Sequence, residues 1–460
     1  MMSMDTKNVY EAREVPEEIE KCDPLVGGDW EIVSSRIPVD IDTLARETKA
    51  LRRKRQVKSP LDLLRLVLAY SICDWSLRLV GAWAAIIGLG YLSDVATRKR
   101  LRNTKAWLGR ILGKWLLQRR TDLPQRPVMM RLIDASTGSN PGSKGTDWRL
   151  HANFDLATFS IASVEVTDAK GGETLARHVM QPDMIHLGDR GYAHRRGLGQ
   201  ALAALAYVIL RTNATNLPFE TSDGKSFDLL SWLRSDAQSS ARETNVWVTT
   251  PNGRFEIRLI AGSLPEKKAE EARRRLRKSS RKKGHTPSEI SLVAAGFVLL
   301  VSNLPAQDWP AKQVLAAYRL RWQVELLFKR LKGILDLDAV RAKDPVLSQV
   351  YLMGKLVGML MLEDWQRDMV ARQPDWFEDV VRPVSQWRWM RFCTDMLRQA
   401  IRGPMTTEQI SAALPRLGRY FRDSPRERQQ QAAHARRWLN AIGIPVEVFG
   451  TLTQHESVLA

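Results

Sequence analysis

Cysteine is scarce in this chain: three residues in 460, Cys22, Cys73 and Cys393. They are odd in number and far apart, which excludes a disulfide framework and a cysteine zinc site. Such a chain suits a reducing compartment, the cytosol. The seven histidines form no HxH or HExxH pattern, so no histidine-based metal site is expected. Long apolar runs are also missing. The longest uncharged one, Leu79 to Leu92, falls short of the roughly 18–20 residues that span a bilayer and reads as a buried helix. The N-terminus carries Glu11, Glu14, Glu17, Glu18 and Glu20, unlike the basic start of a signal or transit peptide. No internal repeat is visible. Acidic residues are in deficit overall, 51 against 70 Lys plus Arg, for a formal charge of +19 and a pI near 10.0. That excess argues for a polyanionic partner, nucleic acid before others.

The length allows two or three domains, each with its own core. Residues 1 to about 35 lack periodicity and read as loosely ordered. From about 38 to 120 the pattern is helical. Ser59-Pro60 opens one helix as N-cap and first-turn proline. Gly88-Leu89-Gly90 separates two others, and Ser93 caps the second, which carries Arg98, Lys99, Arg100 and Arg102. This is compatible with a helix-turn-helix reader of DNA and equally with a helical bundle bearing a solvated basic face.

After about 127 the period changes. Val128 to Ile133 is a short apolar run ending at Asp134, with Ser136 to Ser139 as a loop. His151 to Leu156 and Phe159 to Val166 follow as strands. Met184 to Leu187 runs into Gly188-Asp189-Arg190-Gly191-Tyr192. A helix near Gln200 to Ala206 precedes a fifth strand, Tyr207 to Leu210, ending at Arg211. Strands first, then strands alternating with helices, predict a mixed α/β sheet. Residues from about 213 to 290 interrupt it with two strands around Pro251-Asn252-Gly253 and a basic segment, Arg273 to Lys283. Phe297 to Val301 resumes the sheet, and Pro310 opens a long helix. From about 340 to 460 the chain is helical again, broken near Pro374, Pro383, Gly403-Pro404 and Pro425. The expected division is therefore 1–125, 126–340 and 341–460.

The long helix holds the most informative pattern. Tyr318, Arg321, Glu325 and Lys332 are spaced Y-x2-R-x3-E-x6-K. On one continuous helix they would share an arc of about 60°, bordered by Leu315 and Trp322 on one side and Phe328 and Leu335 on the other. A carboxylate between cations and a phenol suits a metal ion and a phosphodiester. Metal-dependent phosphoryl chemistry needs carboxylates converging from a rigid frame. Asp134 and Asp189 at strand ends and Glu325 on the helix supply three. Asp155, Asp168 and Asp183 compete without that setting.

With these residues in place, the chain resembles bacterial insertion-sequence transposases of the DDE class, the cut-and-paste branch with the Y-R-E-K signature. Tyr318, Arg321, Glu325 and Lys332 match at every spacing. Asp189-Arg190-Gly191-Tyr192 matches the second-aspartate context, and Ile133-Asp134-Ala135-Ser136 resembles the first. The resemblance implies an RNase H-like sheet with a β-rich insertion, flanked by N-terminal helices that bind DNA and C-terminal helices that dimerise. It implies that Asp134, Asp189 and Glu325 bind two Mg²⁺ or Mn²⁺ ions, and that Tyr318, Arg321 and Lys332 hold phosphates. Trp322 would stack near a flipped base, with Trp232, Trp247 or Phe297 to receive it. Arg190, Tyr192 and Arg211 are counted as further DNA contacts. The implied partners are double-stranded DNA, as terminal inverted repeats and as target, and a second copy of the chain. The implied location is the bacterial cytoplasm, at the nucleoid. A nuclease of the same fold and a non-enzymatic DNA-binding protein remain the alternatives at this point.

Overall fold

A computed structural model of the protein describes residues 30–121, 129–158, 160–235, 241–377, 384–421 and short stretches between 434 and 443. Cys22, the acidic N-terminus, Val128, Phe159, Pro383 and Pro425 lie outside them.

Six helices come first: α1 (Trp30–Ser35), α2 (Ile41–Glu47), α3 (Pro60–Ser71), α4 (Leu77–Ile86), α5 (Asp94–Arg102) and α6 (Lys105–Thr121). Residues 30–35 are thus helical rather than loosely ordered. The start of α3 is fixed as its sequence predicts. The Ser59 side chain accepts from Asp62 N, the Asp62 carboxylate accepts from Ser59 N, and Pro60 needs no donor partner. Ser93 caps α5. The basic residues of α5 are not a free face, however. Arg98 and Arg102 both donate to Asp344, the former at 2.8 Å, and Arg100 donates to the Arg53 carbonyl at 2.7 Å. Much of the charge that suggested a major-groove reader anchors α5 to a later part of the chain.

The strands β1 (Met129–Gly138), β2 (Trp148–Asp155) and β3 (Ser160–Asp168) form an antiparallel meander. Then come β4 (Met184–Gly188), α7 (Arg195–Ala203), β5 (Tyr207–Thr212), α8 (Leu229–Arg234), the hairpin β6 (Ala241–Thr250) and β7 (Gly253–Ser263), α9 (Glu266–Lys282), α10 (Glu289–Ala294) and β8 (Phe297–Ser302). The sheet order is β3-β2-β1-β4-β5-β8-β7-β6. β4 and β5 lie parallel to β1, and the first five strands in this order are an RNase H-like sheet. The insertion does not stand apart: β8 pairs antiparallel with both β5 and β7, so the hairpin extends the same sheet to eight strands.

The remaining helices are α11 (Ala311–Arg319), α12 (Trp322–Leu335), α13 (Pro345–Arg372), α14 (Pro374–Phe377), α15 (Gln386–Arg402) and α16 (Thr407–Phe421). The predicted single helix from Pro310 is therefore two. Leu320 and Arg321 keep right-handed dihedrals, but the hydrogen bonds shorten to three-residue steps: Arg321 N to Tyr318 O at 3.1 Å and Val324 N to Arg321 O at 3.2 Å. Each such step turns the chain about 20° further than an α-helical one.

Two apolar cores cover the two faces of the sheet. On one face Leu132, Leu187 and Ile209 pack with α3, α6, α12 and α13; on the other Ile133, Val208 and Leu210 pack with α7 and α8. The first core joins side chains from all three expected regions. α13 is long and apolar enough to cross a membrane, yet 78% of its apolar window is buried inside this core. This core also encloses a buried ion pair. Lys355 donates to Asp74 at 3.1 Å and to the Leu335 carbonyl, and Tyr351 also donates to Asp74.

Candidate active site

Strand register brings the two aspartates together. β1 and β4 pair in parallel as far as Leu132↔Leu187; two residues further along each chain stand Asp134 and Asp189. Gly188 pairs with Leu210 in β5, which puts Arg211 next in line beside Asp189. Side chains alternate between sheet faces. Leu132, Leu187 and Ile209 face the helical core, so the period directs Asp134, Asp189 and Arg211 to that same face, where α12 packs on β1. Asp134 does not end its strand, as the small residues after it had suggested. β1 continues to Gly138, because β2 pairs with it through Trp148.

Asp134 is poorly compensated. Its side chain is 16% exposed and, among the described residues, its Oδ1 accepts only from the adjacent Ala135 N, at 2.8 Å. Burial pushes its carboxyl up to about 7, and the negative charge of Asp189 adds to the effect. Asp189 accepts from Gly191 N at 2.8 Å. A fourth acid, Glu173, was absent from the sequence-based set. A Cβ at Gly191 would lie 1.8 Å from Glu173 Oε2 and 3.2 Å from Asp189 Oδ1, so glycine is required for this approach. Burial and Asp189 raise the Glu173 carboxyl, against the pull of Arg149 at 3.5 Å. Glu173 follows Gly171-Gly172 in the loop after β3; only the fold brings that loop to the end of β4.

The turn between α11 and α12 reorders the signature residues. Tyr318 turns inward and is 92% buried (8% exposed), whereas the Glu325 side chain is 54% exposed. They do not share one arc. Arg321 connects them: its guanidinium lies 5.7 Å from the Tyr318 ring centroid, pairs with Glu325 and reaches Asp134 Oδ2 at 3.8 Å. Lys332 is half-buried on α12, on the Glu325 face about two turns further on. Trp322 is 53% exposed, too open for a role in core packing. Arg190 is exposed beside Asp189. Tyr192 is a correction: it is fully buried among the residues around α7, with no surface to offer a nucleic acid.

Beside the acids opens a cleft of about 730 Å³, lined by Arg211, Lys268, Tyr318, Arg319, Arg321 and Trp322 among others. Among the described residues, no group stands at hydrogen-bonding geometry to the buried Tyr318 hydroxyl or to the buried Nε atoms of Arg211 and Arg321, although the Arg321 guanidinium lies against Tyr318. Buried donors in native proteins are normally satisfied, and three lining one cleft could be satisfied together by an acceptor-rich ligand.

Carboxylates on neighbouring RNase H-like strands, with basic residues around a cleft, are a donor set that suits a phosphodiester. Residues 125–362 match the model of the transposase DDE domain family. The chain belongs to the DDE transposase family. A protein of Escherichia coli K12 assigned to insertion sequence element IS186A as its transposase is 37% identical over 345 residues, covering 73% of this chain and 93% of the relative. The transposase for IS421 from Escherichia coli matches equally well, at 37% over 346 residues. The IS231F transposase of Bacillus thuringiensis subsp. israelensis is 22% identical over 422 residues, 83% of this transposase and 87% of the relative. A cryo-EM structure of the piggyBac transposase synaptic complex with hairpin DNA aligns over 89% of each chain at 9% identity and a TM-score of 0.43, too low to bear on the chemistry.

The donor chemistry of the site fits divalent cations. Asp134, Asp189, Glu173 and Glu325 offer only hard carboxylate oxygens, the kind Mg²⁺ and Mn²⁺ take, and Asp134 lacks a close counter-charge. The donors are not gathered in this arrangement: no three acidic, histidine or cysteine groups among the described residues are close enough to share an ion. Arg321 holds Glu325 by an ion pair and supplies positive charge between it and Asp134.

Proposed function

We propose that this transposase binds the terminal inverted repeats of its element, hydrolyses a phosphodiester at each end to free a 3′-hydroxyl, and joins that hydroxyl to target DNA. Excision proceeds through a hairpin, formed when the freed hydroxyl attacks the opposite strand and expels the flanking DNA; water then reopens the hairpin and restores the 3′-hydroxyl that is joined to the target. Asp134, Asp189 and Glu325 are the catalytic carboxylates and would hold two Mg²⁺ or Mn²⁺ ions, with Glu173 next to Asp189. Bound there, the two cations supply the charge that activates an attacking oxygen and stabilises a leaving one.

The chain's own groups do the rest. Arg211, Arg321 and the Tyr318 hydroxyl donate to phosphate oxygens, which satisfies the three buried atoms left without partners. Arg321 must also release Glu325 as DNA enters, exchanging one carboxylate partner for a phosphate. Trp322 presents an exposed ring at the cleft mouth for a base displaced from the stack. Lys332 and Arg190 extend the grip along the strand. The active assembly is a dimer on paired ends.

The observation that carries this reading is the set of unpartnered donors beside an undercompensated carboxylate. The test is a cleavage and strand-transfer assay on DNA bearing the element's ends, with Mg²⁺, Mn²⁺ or chelator. Metal-dependent nicks with 3′-hydroxyls, end hairpins and joined products are expected. Cleavage without joining, or equal cleavage of unrelated sequences, would instead establish a simple nuclease.

A further inference from the structure

The basic segment that the site does not absorb has a defined geometry. α9 is a 17-residue helix, about 25 Å long. At 100° per residue, Arg274, Lys278 and Arg281 fall within about 40° of Lys267; all four are exposed. Ala269, Leu276 and Ser280 fall on the opposite side, and Ala269 and Ser280 are buried. The basic stripe is thus the face α9 turns away from the protein.

Its charges are available. Arg273 pairs with Glu266 at 2.8 Å and Arg275 with Glu271, which uses two of the three acids in the helix and leaves Glu270 alone near the stripe. Lys267, Arg274, Lys278 and Arg281 enter no ion pair among the described residues. The helix also starts at the site: Pro265 and Lys268 line the same cleft as Tyr318, Arg321 and Trp322.

From this placement we infer that the outer face of α9 is a track for the sugar-phosphate backbone of the DNA end being cut. It grips about seven base pairs beside the scissile phosphate, the span that a helix of this length covers at 3.4 Å per step. Charge complementarity commits the surface to a polyanion, and its continuity with the cleft commits it to the duplex whose phosphate lies there. The inference rests on the transposase reading above. The contact adds affinity and register and carries no sequence information.

The test compares the wild-type protein with the triple variant Arg274→Gln, Lys278→Gln, Arg281→Gln on a duplex containing the element's end. The variant should bind on the order of ten- to a hundredfold more weakly at low salt. Its plot of log affinity against log salt should be shallower by about 2–3, nearly one unit per lost phosphate contact. Hydroxyl-radical protection should vanish over about seven base pairs on one side of the cleavage site, while cleavage at saturating DNA keeps its rate. Arg275→Gln, whose guanidinium is already paired, should bind as wild type does; a loss equal to that of the triple variant would overturn the assignment to one face. Unchanged affinity and salt slope in the triple variant would overturn the inference. So would a defect confined to the joining of pre-cleaved ends, which would assign the helix to target DNA. If the wild-type protein neither prefers nor cleaves the end, the functional reading fails, and that result is distinct from any difference between the proteins in plain duplex binding.

Discussion

Asp74 and Asp134 are both aspartates taken largely out of water, with side chains 12% and 16% exposed, and the fold treats them in opposite ways. Asp74 receives the Lys355 ammonium at 3.1 Å, the Tyr351 hydroxyl and, at 3.7 Å, the Arg341 guanidinium. Asp134 has one neighbouring backbone N–H and an arginine no nearer than 3.8 Å, itself committed to Glu325. A carboxylate that serves the fold is delivered with its counter-charge. On the proposed function, Asp134 is the other kind: a carboxylate held on rigid strands with its one counter-charge distant and shared, which carries that cost until its ligand arrives.

The largest effect separating the two sites is on chemistry. Asp134→Asn, Asp189→Asn and Glu325→Gln should each lower single-turnover cleavage by about a thousandfold or more, the scale of losing a charged group that acts on the transition state, with DNA binding retained in a filter or anisotropy assay. Full activity in any one of them would remove that residue from the site. Stability should respond in the opposite sense. Asp74→Ala leaves Lys355 buried without its partner and should cost about 3–5 kcal/mol in a urea titration. Asp134→Ala should stay within about 1 kcal/mol of wild type or gain, and equal losses would erase the contrast.

A third measurement sharpens it through pH. In metal-free protein the folded Asp134 carboxyl titrates at about 7, above its value of 3.8 when unfolded. The native state therefore binds the extra proton between these values. Stability falls as pH rises from about 4 to about 7 and is level above, and Asp134→Asn should remove a few kcal/mol of this slope. At neutral pH, Mg²⁺ or Mn²⁺ at a hundredfold excess over its Kd should stabilise wild type by about 2.7 kcal/mol and leave Asp134→Asn and Asp189→Asn nearly unmoved. The smallest effect concerns Trp322. Trp322→Ala should cost about 1–3 kcal/mol in end-complex formation or a later step while shifting the unfolding free energy by less than about 0.5 kcal/mol.

The sequence displayed the strands well, because period two and the bounding glycines are local properties. It singled out Asp189 and Glu325 as candidates through a spacing that depends on a few neighbouring residues. It misplaced the end of β1, since Ser136 to Ser139 looks like a turn and is held extended by long-range pairing, Ser136↔Leu150, Thr137↔Arg149 and Gly138↔Trp148 with β2 and Ser139 with Ala339. It also read one helix where there are two: nothing in Tyr318 to Glu325 is a helix breaker, and the tight turn at Leu320–Arg321 arises while Tyr318 is buried and Arg321 is drawn to Asp134. Glu173 was invisible because its partners are 16 and 18 residues away in Asp189 and Gly191, and no pattern ties an acid in one loop to a glycine in another. The ion pairs of Arg98 and Arg102 in α5 were hidden for the same reason, as Asp344 lies 242 residues from Arg102.

The stitching of the insertion hairpin into the sheet through β8 determines where this transposase tolerates changes in length. Arg211 pairs with Leu300 on one edge of β8, and Ser263, which lines the cleft, pairs with Phe297 on the other. Residues added at the Pro251-Asn252 turn would lengthen only the distal tip of the hairpin. A single residue inserted in β8 would turn every following side chain to the opposite face and pull Arg211 and Lys268 out of alignment. Variation in length among related elements should accordingly collect at that turn and spare the six residues of β8.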